Sequence, residues 1–382
     1  MAREFIRNTA IRGKVTITLN LRMGSKMNSI WQDYLREQGA EIQDGIVQYF
    51  GAGQGELAAA RDGMVLCYLS QLGVLKVSGE DAETFLQNLL SSDVREVTPW
   101  HAQFSSLNSP KGRMLASFLI WRKGVLDDAD KAFFLQLPLS LCADIQQRLS
   151  KYILRSKVKI EDVTDQQISF GWAGEGSEEQ LREYLGSVPV EPWGAEEVGN
   201  RVSEHNDTGV IRLGEQRFQI NTTIEHAPAL WQKLIVAGRP VGSPSWDWLT
   251  IHDGIPVILP ATQEQFVPQM ANMELIGAVN FKKGCYPGQE IVARMQYLGK
   301  LKRRMYLAHI ESDAPPQPGD ELYSADMEGQ ASGMVVNASS APDGGYDMLA
   351  VVQISSHKDQ TVHWKSLQGA ALRFMRLPYP IY

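Results

Sequence analysis

The sequence predicts an α+β protein of more than one domain, ended by a separate small β-barrel. Three observations carry this. The chain has 382 residues, more than one core usually serves. Segments of helical periodicity are interleaved with short strands and hairpins. Beyond Arg304 the composition changes: Pro315, Pro316, Pro318-Gly319-Asp320 and Asp343-Gly344-Gly345 mark tight turns between alternating runs such as YDMLAVVQI and ALRFMRL. These observations divide the chain into 27–304, two intertwined α+β domains with a possible split near 155–245, and 305–382, the β-barrel.

In chain order, the first 26 residues hold six lysines and arginines against Glu4 alone. Such a basic, acid-poor start is the composition of a mitochondrial transit peptide. Met23-Gly24-Ser25-Lys26-Met27 instead reads as a vector junction, so residues 1–26 are set aside as a leader or vector-derived segment. SIWQDYLREQGAEI then places Ile30, Trp31, Tyr34 and Leu35 on one helical face and stops at Gly39. Residues 43–69 read as short strands and loops, with GELAAARDGM too brief to assign. Residues 72–77 read as a strand, Ser78-Gly79-Glu80-Asp81 as a turn and cap, and AETFLQNLL as a helix burying Phe85, Leu86, Leu89 and Leu90.

Pro110-Lys111-Gly112 is the turn of a hairpin between two apolar strands. A short helix follows near 143–149. In LRSKVKIEDVT, Arg155, Lys157 and Lys159 alternate and share one face, either solvated or holding an anionic ligand tail. Residues 174–207 read as a peripheral helix and a variable loop, 212–220 as a hairpin, and APALWQKLIVAG as a helix facing inward through Leu230, Trp231, Leu234 and Ile235. Trp246-Asp247-Trp248 beside Gly254-Ile255-Pro256 suits a flat aromatic ligand, or plugs the core.

A net charge of −7 offers no general attraction to phosphate, which argues against direct non-specific nucleic-acid binding. No run of 18 apolar residues exists, so no spanning helix and no membrane role is read. Cys67, Cys142 and Cys285 are sparse and unpaired in sequence, which fits a reducing cytoplasm and gives no self-contained metal site.

The densest chemistry lies in residues 281–306, FKKGCYPGQEIVARMQYLGKLKRRMY. Gly284 and Gly288 imply a tight turn or close backbone approach, stiffened by Pro287. Cys285 would then stand on a rigid exposed loop, with Lys282 and Lys283 near enough to favour a thiolate. Its neighbours are not core residues, so a reactive thiol is preferred over a buried one.

Lys283-Gly284-Cys285-Tyr286, one further residue, and Gly288-Gln289-Glu290 resemble the K-G-C-Y-x-G-Q-E signature of the YgfZ family, folate-binding relatives of the glycine-cleavage T-protein and of mitochondrial iron–sulfur assembly factors. Residues 248–281, with Gly254-Ile255-Pro256, Phe266-Val267-Pro268-Gln269 and Asn272, resemble that family too, as does 75–94. The resemblance implies a T-protein (GcvT)-like multidomain fold around a central cleft, with the Cys285 loop at its rim. It implies tetrahydrofolate as cofactor, with Trp246 beside the pterin, Leu72 where some members carry tryptophan, Arg155 at the glutamate tail, and Gln269, Asn272 and Tyr286 as further contacts. Cys285 and Lys283, with Gln289 and Glu290, would form the reactive loop.

The function so implied is support of iron–sulfur cluster assembly or repair and of tRNA modification, with iron–sulfur enzymes or assembly proteins as partners and methylthiolating enzymes among the clients. Ala116 and Ser117 stand where the T-protein pattern has an acidic pair, so aminomethyl transfer is not expected. A different one-carbon transferase, or a scaffold contacting a tRNA-modifying enzyme through Lys300, Lys302, Arg303 and Arg304, stays open beside this reading.

Overall fold

The computed structural model describes residues 29–51, 53, 55–123, 132–197 and 208–381. The leader read into 1–26 and the part of the variable loop at 198–207 lie outside these. Helix α1 (29–37) buries Trp31 and Leu35, whereas Ile30 is about half exposed, one helical step outside the stripe. A hairpin follows, β1 (Ala40–Gln43) and β2 (Ile46–Phe50), then α2 (Glu56–Asp62). No side chain caps α2. Tertiary contacts hold it instead, since buried Glu56 accepts the N–H groups of Phe50 (2.6 Å) and Gly242 (2.8 Å). That is why GELAAARD gave no local signal.

The next elements are β3 (Val65–Tyr68), β4 (Leu72–Ser78), α3 (Ala82–Gln87), β5 (Gln103–Asn108), β6 (Met114–Arg122), β7 (Phe133–Pro138), α4 (Cys142–Ser150), β8 (Lys159–Asp162) and β9 (Gln167–Ala173). After them come α5 (Ser177–Leu185), β10 (Ala195–Glu197), β11 (Gly209–Gly214), β12 (Arg217–Thr223), α6 (Ala227–Leu234), β13 (Arg239–Val241), α7 (Ser243–His252) and α8 (Gln289–Tyr297). One antiparallel sheet runs β5-β6-β7-β4-β8; a second runs β10-β11-β12-β9-β3-β13, with only β3–β13 parallel. The chain enters the second sheet at β3, builds the first, and returns at β9. That path intertwines the two units.

Strand alternation sorts the faces. On β6, Phe118 and Ile120 pack under α3 and α4 with Phe85, Leu86, Ile145 and Leu149. Leu119 and Trp121 point the other way, towards Val65, Cys67 and Trp246 of the second unit. The far face of the second sheet is closed by α1 and α6 through Trp31, Phe170, Phe218 and Trp231.

The third sheet contains β14 (Arg303–Ile310), β15 (Glu321–Tyr323), β16 (Ala331–Ser340), β17 (Tyr346–Gln353), β18 (His363–Trp364) and β19 (Arg373–Met375), with α9 (Ile354–Asp359) after β17. Its order is β18-β15-β16-β17-β14-β19. It curls into a half-barrel around Tyr306, Val335, Met348 and Trp364, its ends approaching at a His363–Ala371 bridge. Its outer face, with Met305, Leu307 and Val351, packs on Phe266, Met273 and Val292 of the body. Among the described residues no helix is long and apolar enough to cross a membrane.

Candidate functional site

All three units meet at a cleft of about 470 Å³. The first sheet contributes Leu72, Ser117 and Gln136, the second Arg217 and Gln219, α7 Trp246, Asp247 and Thr250, and the half-barrel Asn337. Most of the lining is apolar, the usual make-up of a small-molecule pocket.

Trp246 owes its place to a missing side chain: a Cβ on Gly171 would stand 2.4 Å from the indole. The ring is only 3% exposed, and the Arg217 guanidinium lies over it, 4.1 Å from the centroid. Trp246 therefore lines the cleft as a wall backed by its own neighbours, with little open face. Arg217 is fixed by an ion pair to Asp253 and a 2.6 Å hydrogen bond to Thr250 Oγ1, so its charge is largely spent. Trp248 faces away, donating from Nε1 to Asp347 Oδ2 at 2.8 Å. His252 Nε2 and His309 Nδ1 reach the same carboxylate at 2.8 Å each, and those bonds hold its pKa low against burial. They tie α7 to the half-barrel.

Asp247 is the group that the sequence did not single out. Its side chain is exposed to solvent through the cleft, while desolvation by the walls around it pushes its carboxyl up to about 6 against the opposing pull of Gln71 and Arg217. Gln71 Nε2 donates to its Oδ1 at 3.0 Å. Its sequence signals were its place between Trp246 and Trp248 and a helical spacing that puts it one turn before Ile251 on the same face. Arg217 and Gln219 gave none, because strand pairing brings them in, and neither did Gln71, which the β3–β4 turn supplies. Ser117 has its hydroxyl committed: it donates to the Pro256 carbonyl (3.2 Å) and accepts the Ile258 N–H (3.1 Å).

The Cys285 loop is elsewhere. No residue of 281–290 lines the cleft, so the expected place at its rim is not what the geometry gives. The loop docks on the β5–β6 turn, glycine against glycine. Gly288, the residue before α8, has φ +78°, and a Cβ there would sit 2.5 Å from Gly112 Cα and from Ser109 O. Cys285 is exposed, whereas Cys67 and Cys142 are buried and their thiols pushed up by desolvation.

Lys283 is not aimed at the thiol. Its ammonium is buried and donates to the carbonyls of Leu90 (2.6 Å) and Ser92 (2.8 Å), above the Tyr286 ring, and burial lowers its pKa to about 8. Asn280 Oδ1 accepts the N–H groups of Lys282 and Lys283, and Gln289 Nε2 donates to the Lys283 carbonyl at 3.3 Å. Tyr286 is buried, with its phenol raised to about 12. Glu290 is exposed in the first turn of α8, where its charge suits the helix dipole. The motif thus works as a clamp that presents Cys285.

Of the other expected contacts, Leu72 lines the cleft. Gln269 and Asn272 do not: Gln269 Nε2 donates to Val292 O (2.7 Å) and Asn272 Nδ2 to Met305 O (2.9 Å), bracing α8 and β14. Arg304 joins this brace through Glu274 and the Gln269 carbonyl, and Arg303 donates to Ala331 O, which leaves Lys300 and Lys302 as the exposed cations of the basic run. Arg155 lies in a separate depression of about 560 Å³ with Thr84, Asn88, Tyr152 and Pro287. That depression belongs to the α3 side of the first sheet, across it from Trp246. Lys157 and Lys159 pair with Glu80 and Glu161, a solvated face.

Comparison with known proteins places this geometry. Residues 31–283 match the model of the GCVT N-terminal domain. The chain is 29% identical over 321 residues to the tRNA-modifying protein YgfZ of Sodalis glossinidius, covering 83% of this chain and 94% of that one. It is 27% identical over 333 residues to its namesake from Yersinia pestis, covering 86% and 97%. The structure superposes on glycine cleavage system aminomethyltransferase T of Bartonella henselae with a TM-score of 0.73 at 18% identity, over 91% of this chain and 96% of that one. The chain therefore belongs to the GCVT N-terminal domain family, and within it resembles, over most of its length, the proteins named YgfZ.

Proposed function

We propose that this protein binds tetrahydrofolate in the central cleft and supports tRNA modification in the cytoplasm by sustaining iron–sulfur enzymes, methylthiolating ones among them, through the Cys285 loop. The observation that carries the reading is the cleft. Its volume of about 470 Å³ falls in the range of small-ligand pockets, its wall is mostly apolar, and a few polar groups converge on it from three units. The family's fold and the name of the relatives, tRNA-modifying protein, supply the direction. A reduced folate, when bound, supplies one-carbon and reducing chemistry. This chain's residues would hold it, with Trp246 and Leu72 as walls and Asp247 and Gln219 as polar contacts.

Aminomethyl transfer does not fit the cleft as built. At Ser117 the side chain is a hydroxyl engaged with backbone, and the carboxylates lining the cleft are Asp44 and Asp247. The clamped, exposed Cys285 offers a partner a thiol at a fixed point of the surface.

Calorimetric titration with tetrahydrofolate tests the first half. Binding is expected to survive Cys285→Ala and to weaken in Trp246→Ala. No binding by the unaltered protein sinks the folate reading and favours a scaffold that uses Lys300 and Lys302. For the second half, Cys285→Ser is returned to a deletion strain, where full recovery of iron–sulfur enzyme activity would remove the thiol from the account.

A further inference from the structure

Which end of the ligand the cleft reads can be argued from a chain of hydrogen bonds that runs from buried serines out to the open cleft, and the argument rests on the folate reading above. The backbone N–H of Val47, which can only donate, meets Ser70 Oγ at 2.8 Å. Ser70 is thereby free to direct its own proton at Ser243 Oγ, 3.4 Å away, and Ser243 donates to Gln71 Oε1 at 3.0 Å. The Gln71 amide nitrogen faces Asp247 Oδ1, 3.0 Å away, as an acceptor-only carboxylate requires, and Ser243 matches the amide oxygen on the other side. Ser70 and Ser243 are both buried. Among the described residues no donor is seen on Asp247 Oδ2, and the side chain opens on the cleft. A hydrogen-bond chain that starts in the β1–β2 hairpin and ends with a donor on one oxygen of a carboxylate favours the ionised form against its desolvation and leaves the other oxygen for a ligand.

We propose that Asp247 is the specificity-determining acceptor of the cleft, taking the N–H groups of a 2-amino-4-oxopyrimidine edge, which pterins and guanines share. A carboxylate beside that edge accepts charge-assisted hydrogen bonds, and the wall at Trp246 and Leu72 flanks the ring. The groups that bear on Asp247 are Gln71, Arg217 of β12, whose charge is paired with Asp253, and Cys67 of β3, which stays a neutral thiol; Asp44 of the hairpin lines the same cleft. With the carboxyl at about 6, ligand affinity falls as pH drops from 7.5 to 5, because the protonated acid turns a donor towards a donor.

The test is calorimetry on the full chain and on Asp247→Asn, with four probes: tetrahydrofolate, 6-methyltetrahydropterin as its head, p-aminobenzoylglutamate as its tail, and GMP. The substitution is expected to weaken tetrahydrofolate and the head roughly 10- to 100-fold, to leave the tail within about twofold, and to abolish the pH dependence. Gln71→Met, which removes the orienting donor, should give a smaller loss with the same head-against-tail split. Equal tetrahydrofolate affinity in both proteins overturns the inference and leaves the folate reading standing. Equal loss of head and tail also overturns it, since that marks a structural role. GMP binding without tetrahydrofolate binding keeps the edge assignment and refutes the folate reading; binding of neither probe by the unaltered protein sinks both.

Discussion

In the Cys285 loop, residues 283–290 carry nearly every group that matters, and the turn they dock on is itself local. In the cleft, Gln71, Ser117, Arg217 with Gln219, and Asp247 arrive from four separate places in the chain. The two regions also spend their polar groups differently. Lys283, Gln289 and Asn280 are consumed in holding the loop's backbone, so a string of chemically potent residues works mostly as architecture. Asp247 stands in a mostly apolar wall, with no donor on Oδ2 among the described residues. A dense motif marks where a shape must be held, and an isolated polar group in an apolar pocket marks where a ligand is read. Each prediction below would break or sharpen that contrast.

The largest effect is expected at the glycine contact. Gly288→Ala needs a Cβ within 2.5 Å of the backbone at Gly112 and Ser109, at a φ of +78°, and backbone cannot yield as a side-chain tip can. Stability should fall by about 3 kcal/mol or more, or the loop should detach and Cys285 react faster with a disulfide reagent. Urea unfolding and thiol kinetics measure the two. An unchanged protein would mean that the loop is not clamped.

Lys283→Met comes next. Losing the ammonium leaves the carbonyls of Leu90 and Ser92 without donors, a cost of roughly 1–3 kcal/mol. The pH dependence has a definite sign. The folded pKa of about 8 lies below the unfolded value of 10.5, so the unfolded chain binds more protons between them. The lysine's contribution therefore rises with pH across 8 to 10.5 and is lost as pH falls through 8. The stability gap between the unaltered protein and Lys283→Met should widen as pH rises from 8 to 10.5, and a constant difference between the two would contradict the burial of the ammonium.

These two cases show what the sequence could and could not reveal. The loop, the 110–112 turn, the helix over 82–87 and the curled C-terminal sheet were legible because turn chemistry and periodicity are local. Helix α2 was not, since Glu56 is held by Phe50 and Gly242 rather than by a cap. The direction of Lys283 was hidden too: proximity to Cys285 in sequence suggested a thiolate partner, but in space its ammonium donates to the carbonyls of residues 90 and 92. Gln269 and Asn272 looked like ligand contacts for the same reason, as polar groups in a recognisable stretch, and turned out to brace Val292 and Met305. Trp246 lines the cleft, yet Gly171 and Arg217, which decide how much of it is open, lie 75 and 29 residues away.

A smaller effect separates stability from binding at Asp247. Its folded pKa of about 6 lies above the unfolded 3.8, so the folded state holds the extra proton and stability declines as pH rises through that interval. Asp247→Asn lacks the decline. Without ligand it should melt higher than the unaltered protein at pH 7.5 and no higher at pH 4, while binding its ligand less well. A variant less stable at pH 7.5 would show that the carboxylate is there for the fold.

The smallest effect is expected at Arg155, and it is informative for that reason. The exposed depression holding Arg155, Tyr152 and Pro287 lies on the side of the first sheet packed by α3 and α4, whereas Ser117, Gln136 and Trp246 face the cleft on the other. A ligand with its ring at Asp247 would have to cross the sheet to reach this guanidinium. Arg155→Ala should therefore leave tetrahydrofolate affinity within about twofold, and surface position makes a stability change beyond roughly 0.5 kcal/mol unexpected. A tenfold loss of affinity would mean that the tail leaves the cleft around the edge of β5 or β8, and the two regions set apart here would then be two ends of one site.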